Sequence, residues 1–334
     1  MSVRWKAWIP DPYILGLLAT VAVASILPCR GVGATIFGWI ADAAIVLLFF
    51  LHGAKLSREA VVAGMGHWRL HLLVLACTFA LFPALGLAAR AVGQSWVEPS
   101  LLAGVLFLTL LPSTVQSSIA FTSVAGGNVA AAVCAASASN LLGIFITPAL
   151  VSLLMGAHGA GASMEAIKTI VLQLLLPFIL GHLSRPLTAA WLGKQKKLVG
   201  LVDRSSILLV VYTAFSAAVV EGLWKRLSAE DLGAVLVLDV AILAIVMVTT
   251  TIVARRLDFS KEDEIAIVFC GSKKSLASGV PMAGVLFPAA AVGMMIVPLM
   301  LFHQIQLMVC AVMARKYAAG FEAQPVAEPG VAKA

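Results

Sequence analysis

Cys270-Gly271-Ser272-Lys273-Lys274-Ser275-Leu276-Ala277-Ser278-Gly279-Val280-Pro281 is the stretch on which the fold of this chain turns. Its two lysines are the only residues of fixed charge between Ile265 and Ala314, a length sufficient to cross a bilayer twice. An ammonium at bilayer depth costs roughly 2.5–3.5 kcal/mol on insertion scales, so a retained pair marks a functional site. Gly271, the flanking serines Ser272 and Ser275, and Pro281 predict backbone that does not stay helical throughout. Interrupted helices inside a membrane belong to transporters, where freed backbone groups line a binding site.

The rest of the chain supplies the membrane. Of its 334 residues 61% are hydrophobic and 12% charged, and the mean hydropathy is +1.02. Too little polar surface is available to cover a soluble core. Continuous apolar runs of about 20 residues exclude an outer-membrane barrel, whose strands alternate. The first run, Trp8 to Pro28, leads directly into a second one, so it reads as a retained span rather than a cleaved signal. Five cysteines lack the spacing of a zinc site or a disulfide framework and read as small buried hydrophobes. HExxH, GxSxG and phosphate-cradling glycine motifs are missing, so neither an enzyme nor a bound cofactor or metal is expected.

Ten spans are predicted, at about 12–28, 34–53, 69–89, 99–124, 127–155, 166–184, 203–221, 233–254, 263–288 and 291–314. With these boundaries only Arg30, Arg90, Lys168, Lys225 and Arg226 fall on one side. The other loop lysines and arginines share the opposite side, which the positive-inside rule makes cytoplasmic, with both termini. The chain is therefore expected in the cytoplasmic membrane, surrounded by lipid, and its net charge of +7 does not imply nucleic acid. Five spans repeated in tandem must be inverted relative to each other. Asp42 in span 2 and Asp203 in span 7 stand in similar contexts near the expected helix starts, where a carboxylate complements the dipole. Span 4, with Leu111-Pro112-Ser113-Thr114-Val115-Gln116-Ser117-Ser118, is interrupted as span 9 is. Paired interruptions in two halves point to a midplane site. The expected organisation is a five-helix repeat over 1–155, an inverted repeat over 166–316, a Gly/Ala-rich linker at 156–165 and a disordered tail at 320–334.

With Gly127-Asn128-Val129-Ala130, Thr147-Pro148, and His303-Gln304-Ile305-Gln306-Leu307 added to these motifs, the chain resembles the bile acid:sodium symporter family, specifically a divergent bacterial branch related to the seventh human paralogue. The resemblance covers nearly the whole chain. It implies an all-α membrane protein of ten helices, with a panel of spans 1, 2, 6 and 7, a core of the other six, and broken spans 4 and 9 crossing in that core. It also implies two sodium ions behind the crossing, but the ligand positions mostly fail here. The span 9 Glu, Gln and Asn positions fall on Phe269, Lys273 and Lys274. The span 5 hydroxyl positions fall on Ala132 and Ala136, and the span 3 Gln on Thr78. A lysine ammonium would supply the missing unit charge without an ion.

The expected substrate and coupling site therefore comprises Lys273, Lys274, Ser272, Ser275, Thr114, Gln116, Ser117, Ser118 and Asp239. Asp239 is the carboxylate placed deep in a core span and is the expected partner of one lysine, a pair able to exchange a proton. Thr78, Asn128, Asn140, His303, Gln304 and Gln306 form a supporting polar core, and Pro112, Gly271 and Pro281 are the expected helix breaks. The function these residues imply is alternating-access transport of a small organic, anionic solute, with protons rather than sodium as the coupling ion. A cation/proton antiporter and a non-transporting membrane regulator are the rival readings. A Schiff-base pigment is suggested only by the intramembrane lysine.

Overall fold

A computed structural model describes residues 12–55, 67–156, 168–169 and 171–322. Among them every regular element is a helix. In chain order these are α1 (Pro12–Ile26), α2 (Val32–Lys55), α3 (Trp68–Gly93), α4 (Pro99–Leu110), α5 (Gln116–Val124), α6 (Val129–Met155), α7 (Val171–Lys194), α8 (Lys196–Val220), α9 (Ala229–Arg256), α10 (Lys261–Gly271), α11 (Leu276–Leu286) and α12 (Ala289–Glu322). A single turn, Leu223–Arg226, separates α8 from α9. Seven helices, α2, α3, α6, α7, α8, α9 and most of α12, are long and apolar enough to cross a membrane. The 156–165 linker lies, apart from Gly156, outside the described residues. Of the expected tail, 320–322 continues α12 and the remainder lies outside them.

The helices sort into two packed groups. In the first, α2 lies along α7, and α1 and α2 both pack on α8. The α2–α7 contact is backbone to backbone: a Cβ added to Gly53 would lie 2.0 Å from Phe178 O, and one on Gly181 would lie 1.9 Å from Phe50 O. Only glycine permits so close an approach, and small residues let membrane helices gain packing energy without a hydrophobic driving force. The second group contains α3, α4, α5, α6, α9, α10 and α12, with α11 on its side facing α8. Packing of α8 on α11 and α12 joins the two groups.

Helix α8 begins seven residues before the expected start of span 7, whereas α2 begins within two residues of the expected 34. Helix α2 begins ten residues before Asp42 and α8 seven before Asp203, so neither carboxylate complements a helix N-terminus. Asp42 is exposed along α2, and Asp203 pairs with Lys55. Pro281 was expected to break its helix but lies inside α11, which continues to Leu286. Proline removes one ladder hydrogen bond, and packing in a buried segment holds the helix through that loss.

The interruptions at Pro112 and Gly271 are real and they meet. Between α4 and α5, and again between α10 and α11, four or five residues leave the helical ladder, and Ser275 N–H donates to Pro112 O at 2.9 Å. The C-terminal ends of α4 and α10 and the N-terminal ends of α5 and α11 therefore converge in the interior.

Candidate functional site

A helix end leaves carbonyls without partners, and burying them unsatisfied is costly. At the end of α4 five successive carbonyls, from Leu108 to Pro112, can be followed to their donors. Leu108 O receives Leu111 N–H at 3.4 Å, Leu110 O receives Thr147 Oγ1 at 2.8 Å, and Pro112 O receives Ser275 N–H. Thr109 O and Leu111 O both accept from Lys274 Nζ, at 2.8 and 2.7 Å. Ser113 N–H, which would have served Thr109 O in a continuous helix, donates instead to Ser139 Oγ at 3.1 Å.

The third proton of Lys274 goes to Thr78 O at 2.8 Å. That carbonyl is free for a local reason. Cys77–Leu81 is a π-helical turn within α3, so Phe82 N–H bonds to Cys77 O rather than to Thr78 O. The next residue, Pro83, has no N–H to offer. Thr78 thus contributes its backbone, while its hydroxyl donates back to Val74 O at 2.8 Å. Lys274 is fully buried, with Nζ also 4.1 Å from the Phe82 ring centre. Three charge-assisted bonds at about 1.5–3 kcal/mol each offset the several kcal/mol of removing an ammonium from water. Gln306 fixes the backbone that carries it, accepting from Lys274 N at 2.8 Å and donating to Lys274 O at 2.9 Å.

The end of α10 is satisfied by hydroxyls. Ser113 Oγ donates to Cys270 O at 2.5 Å, Ser118 Oγ to Phe269 O at 2.9 Å and Ser272 Oγ to Val268 O at 2.6 Å. The interrupted segments therefore cap each other's C-terminal ends, one with serines and the other with an ammonium.

Lys273 has the opposite environment. Its side chain is fully buried, yet Nζ has no hydrogen-bond partner. It lies 4.4 Å from the centre of the Phe121 ring and 5.3 Å from that of Phe269. A charged ammonium there would gain about 2 kcal/mol or more from desolvated cation–π contact, less than the three bonds of its neighbour. Asp239 is not its partner: both carboxylate oxygens are buried without any hydrogen-bonding group, and neither lysine reaches them. The expected Lys–Asp pair is absent because Lys274 is saturated by carbonyls and Lys273 is turned into an aromatic cage.

A cavity of about 750 Å³ lies between the two helix groups. Its core wall carries Thr114, Gln116, Ser117, Asn140, Ser275 and Gln304, with His303 beside them. Its other wall carries Tyr13, His52, Lys55, Asp203 and Arg204. Phe121 also lines it and holds its ring 4.4 Å from Lys273 Nζ, a residue that is not part of the lining. Thr114 Oγ1 lies 2.8 Å from Ser117 Oγ and 3.1 Å from Ser118 Oγ. Ser275 Oγ caps α11 by accepting from Ser278 N at 3.1 Å, and Ser278 Oγ donates to Asn140 Oδ1 at 2.8 Å. Gln304 Oε1 has no partner, while Gln306 Nε2 lies 2.9 Å from His303 Nδ1. The N-terminal turns of α5 and α11 thus face the cavity with their positive ends, an arrangement favourable to anions.

Asn128 stands apart from this site. It caps α6 by accepting from Ala131 N at 3.0 Å and donates from Nδ2 to Asp263 Oδ1 at 2.8 Å. Several contributors escaped the sequence reading: Thr109 O, Leu111 O, Ser113, Ser139, Phe121 and the Lys55–Asp203 pair. Ser113 lay within the quoted span 4 motif, but backbone acceptors leave no mark on side-chain identity.

The model of the SBF-like CPA transporter family matches residues 11–319. A Pseudomonas aeruginosa protein is 60% identical over 93% of this chain and 94% of its own length. The Escherichia coli K12 protein named "Putative symporter YfeH" is 59% identical over 92% of both chains. Mouse "Sodium/bile acid cotransporter 7" is 26% identical over 92% of this chain and 91% of its own. The apolar helices, their paired interruptions and these matches agree: the chain is a multi-pass membrane protein, a transporter rather than an enzyme, and belongs to the SBF-like CPA transporter family.

Proposed function

We propose that this protein carries a small organic anion across the membrane by alternating access, with Lys274 built in as a permanent cation so that turnover does not need sodium. The observation that carries the reading is the triple bond set of Lys274 Nζ to Thr78 O, Thr109 O and Leu111 O. An ammonium held by three carbonyls supplies one positive charge in oxygen coordination, the service a bound sodium ion would give. Unlike an ion, it never leaves.

The solute site is the cavity between the two helix groups, with its polar wall of Thr114, Gln116, Ser117, Asn140 and Ser275. Two half-helix N-termini and the net positive charge of Lys55, Asp203 and Arg204 together favour an anion there. The fold is read as ten spans in two inverted repeats, 1–155 and 166–316. The α1, α2, α7 and α8 group rocks against the broken core. The cavity then opens towards the side rich in lysine and arginine, which orients both termini to the cytoplasm in an inner membrane.

The test starts from thermal melting of the purified protein with a panel of carboxylates and sulfonates as choline salts. Members that raise the melting temperature are then followed as radiolabelled uptake into proteoliposomes. Uptake at equal rates in choline and sodium buffers is expected. Uptake that requires sodium would overturn the reading, and sodium-driven proton flux without any solute would favour the antiporter instead.

A further inference from the structure

Adjacent lysines with opposite surroundings carry a consequence beyond sodium independence. Lys274 has every proton engaged, whereas Lys273 has none engaged and meets only the faces of Phe121 and Phe269. The titratable groups beside its Nζ are the thiols of Cys270 on α10 and Cys310 on α12. Helix α5, Gln116–Val124, presents the Phe121 ring and carries no titratable side chain. Beyond Phe269 stands Tyr317 of α12, whose hydroxyl donates to Glu264 at 3.1 Å, and Glu264 already holds Arg255 and Lys261. Among the described residues no carboxylate reaches Lys273. Buried polar groups are ordinarily bonded, and an orphaned ionisable group inside a membrane protein marks a function.

We infer that Lys273 is the proton-coupling group of the transporter: it takes up a proton only together with the anionic solute, and Phe121 is the gate between them. In the empty state the amine rests in the aromatic cage. When an anion enters the cavity, the Phe121 ring turns aside. One proton from water adds to the Nζ lone pair, and the resulting ammonium donates to the anion in place of the ring faces. Proton and anion cross as a neutral pair and are released together, so the amine returns to its cage. Binding of either therefore strengthens binding of the other by the same factor. The inference rests on the transport reading above but names a different residue and a different ion.

The test reads the amine directly. Purified protein in lipid nanodiscs is treated with formaldehyde and cyanoborohydride, which methylate an amine that has a free lone pair and is within reach, and the sites are resolved by mass spectrometry. Methylation of Lys273 but not Lys274 is expected. Phe121→Ala should speed it about tenfold, the effect of lowering the access barrier by about 1.4 kcal/mol. At least one member of the carboxylate and sulfonate panel should slow Lys273 methylation in the unmodified sequence. In proteoliposomes with an entrapped pH dye, that same anion should drive proton uptake, abolished in Lys273→Met.

Lys273 that stays unmethylated in both proteins, or is methylated at a rate no panel anion changes, overturns the inference. Should Lys273→Met fail to fold, the Phe121→Ala labelling decides. Protection without any movement of the anion into vesicles would instead sink the transport reading and leave the anion-linked amine standing. Anion uptake without proton movement would do the reverse.

Discussion

Gln306 grips both backbone groups of Lys274, its side-chain oxygen accepting from the amide N–H and its side-chain nitrogen donating to the carbonyl. A residue on α12 thereby fixes an unwound segment between α10 and α11 at the point where its side chain must reach α3 and α4. Gln306→Ala leaves both groups buried and unpaired, at about 1–3 kcal/mol each. The variant should melt several degrees lower and transport should fall, measured by thermal denaturation and vesicle uptake; an unchanged melting curve would show that the grip is not needed.

Removing the fixed cation should create a dependence on a mobile one. Lys274→Ala leaves Thr78 O, Thr109 O and Leu111 O without a donor, at about 1–3 kcal/mol each. Sodium should raise the melting temperature of this variant above its value in choline, while the unmodified sequence melts alike in both salts. Equal melting of the variant in both salts would show that the carbonyl cluster does not hold an alkali ion.

Asp239→Asn is expected to be silent or mildly stabilising. Its carboxyl oxygens bond to nothing, and an amide of the same shape keeps the volume while removing a group that could ionise. Thermal melting checks this, and a fall of more than a few degrees would reveal a partner for the carboxylate in another conformation.

Gly181→Ala places a methyl group 1.9 Å from Phe50 O, so α7 must move away from α2. Overpacking of this kind costs typically 1–3 kcal/mol. Reduced melting temperature with the cavity wall displaced is the expected result, and Gly193→Ala, whose added Cβ meets nothing within 4 Å, should be neutral in the same assay.

The Lys55–Asp203 pair joins α2 to α8 at the cavity wall, with side-chain exposures of 34% and 15%. Such partly exposed pairs contribute about 0.2–1 kcal/mol. A double-mutant cycle on melting should return a coupling of that size that shrinks as salt is added. A coupling insensitive to salt would mean that the pair is drier than its exposure implies.

Much of this protein follows from the order of its residues. Apolar runs of bilayer length must be helices, because no other local structure satisfies the backbone in lipid. Pro112, Gly271 and their serines mark where two of those helices stop, and Lys273 and Lys274 are too costly in that position to lack a purpose. Packing alone decided what each lysine touches. The sequence reading gave one of the two lysines a carboxylate partner, but the acceptors of Lys274 are three carbonyls, one released by a π-turn ahead of Pro83 and two by the end of α4. Carbonyls are common to every residue, so no pattern of side chains announces which ones a fold leaves open. The same holds for Lys273 and Asp239, whose lack of partners depends on how helices distant in the chain come together. Composition and spacing determine where the backbone must break; only the meeting of the broken ends determines which charges find a partner there.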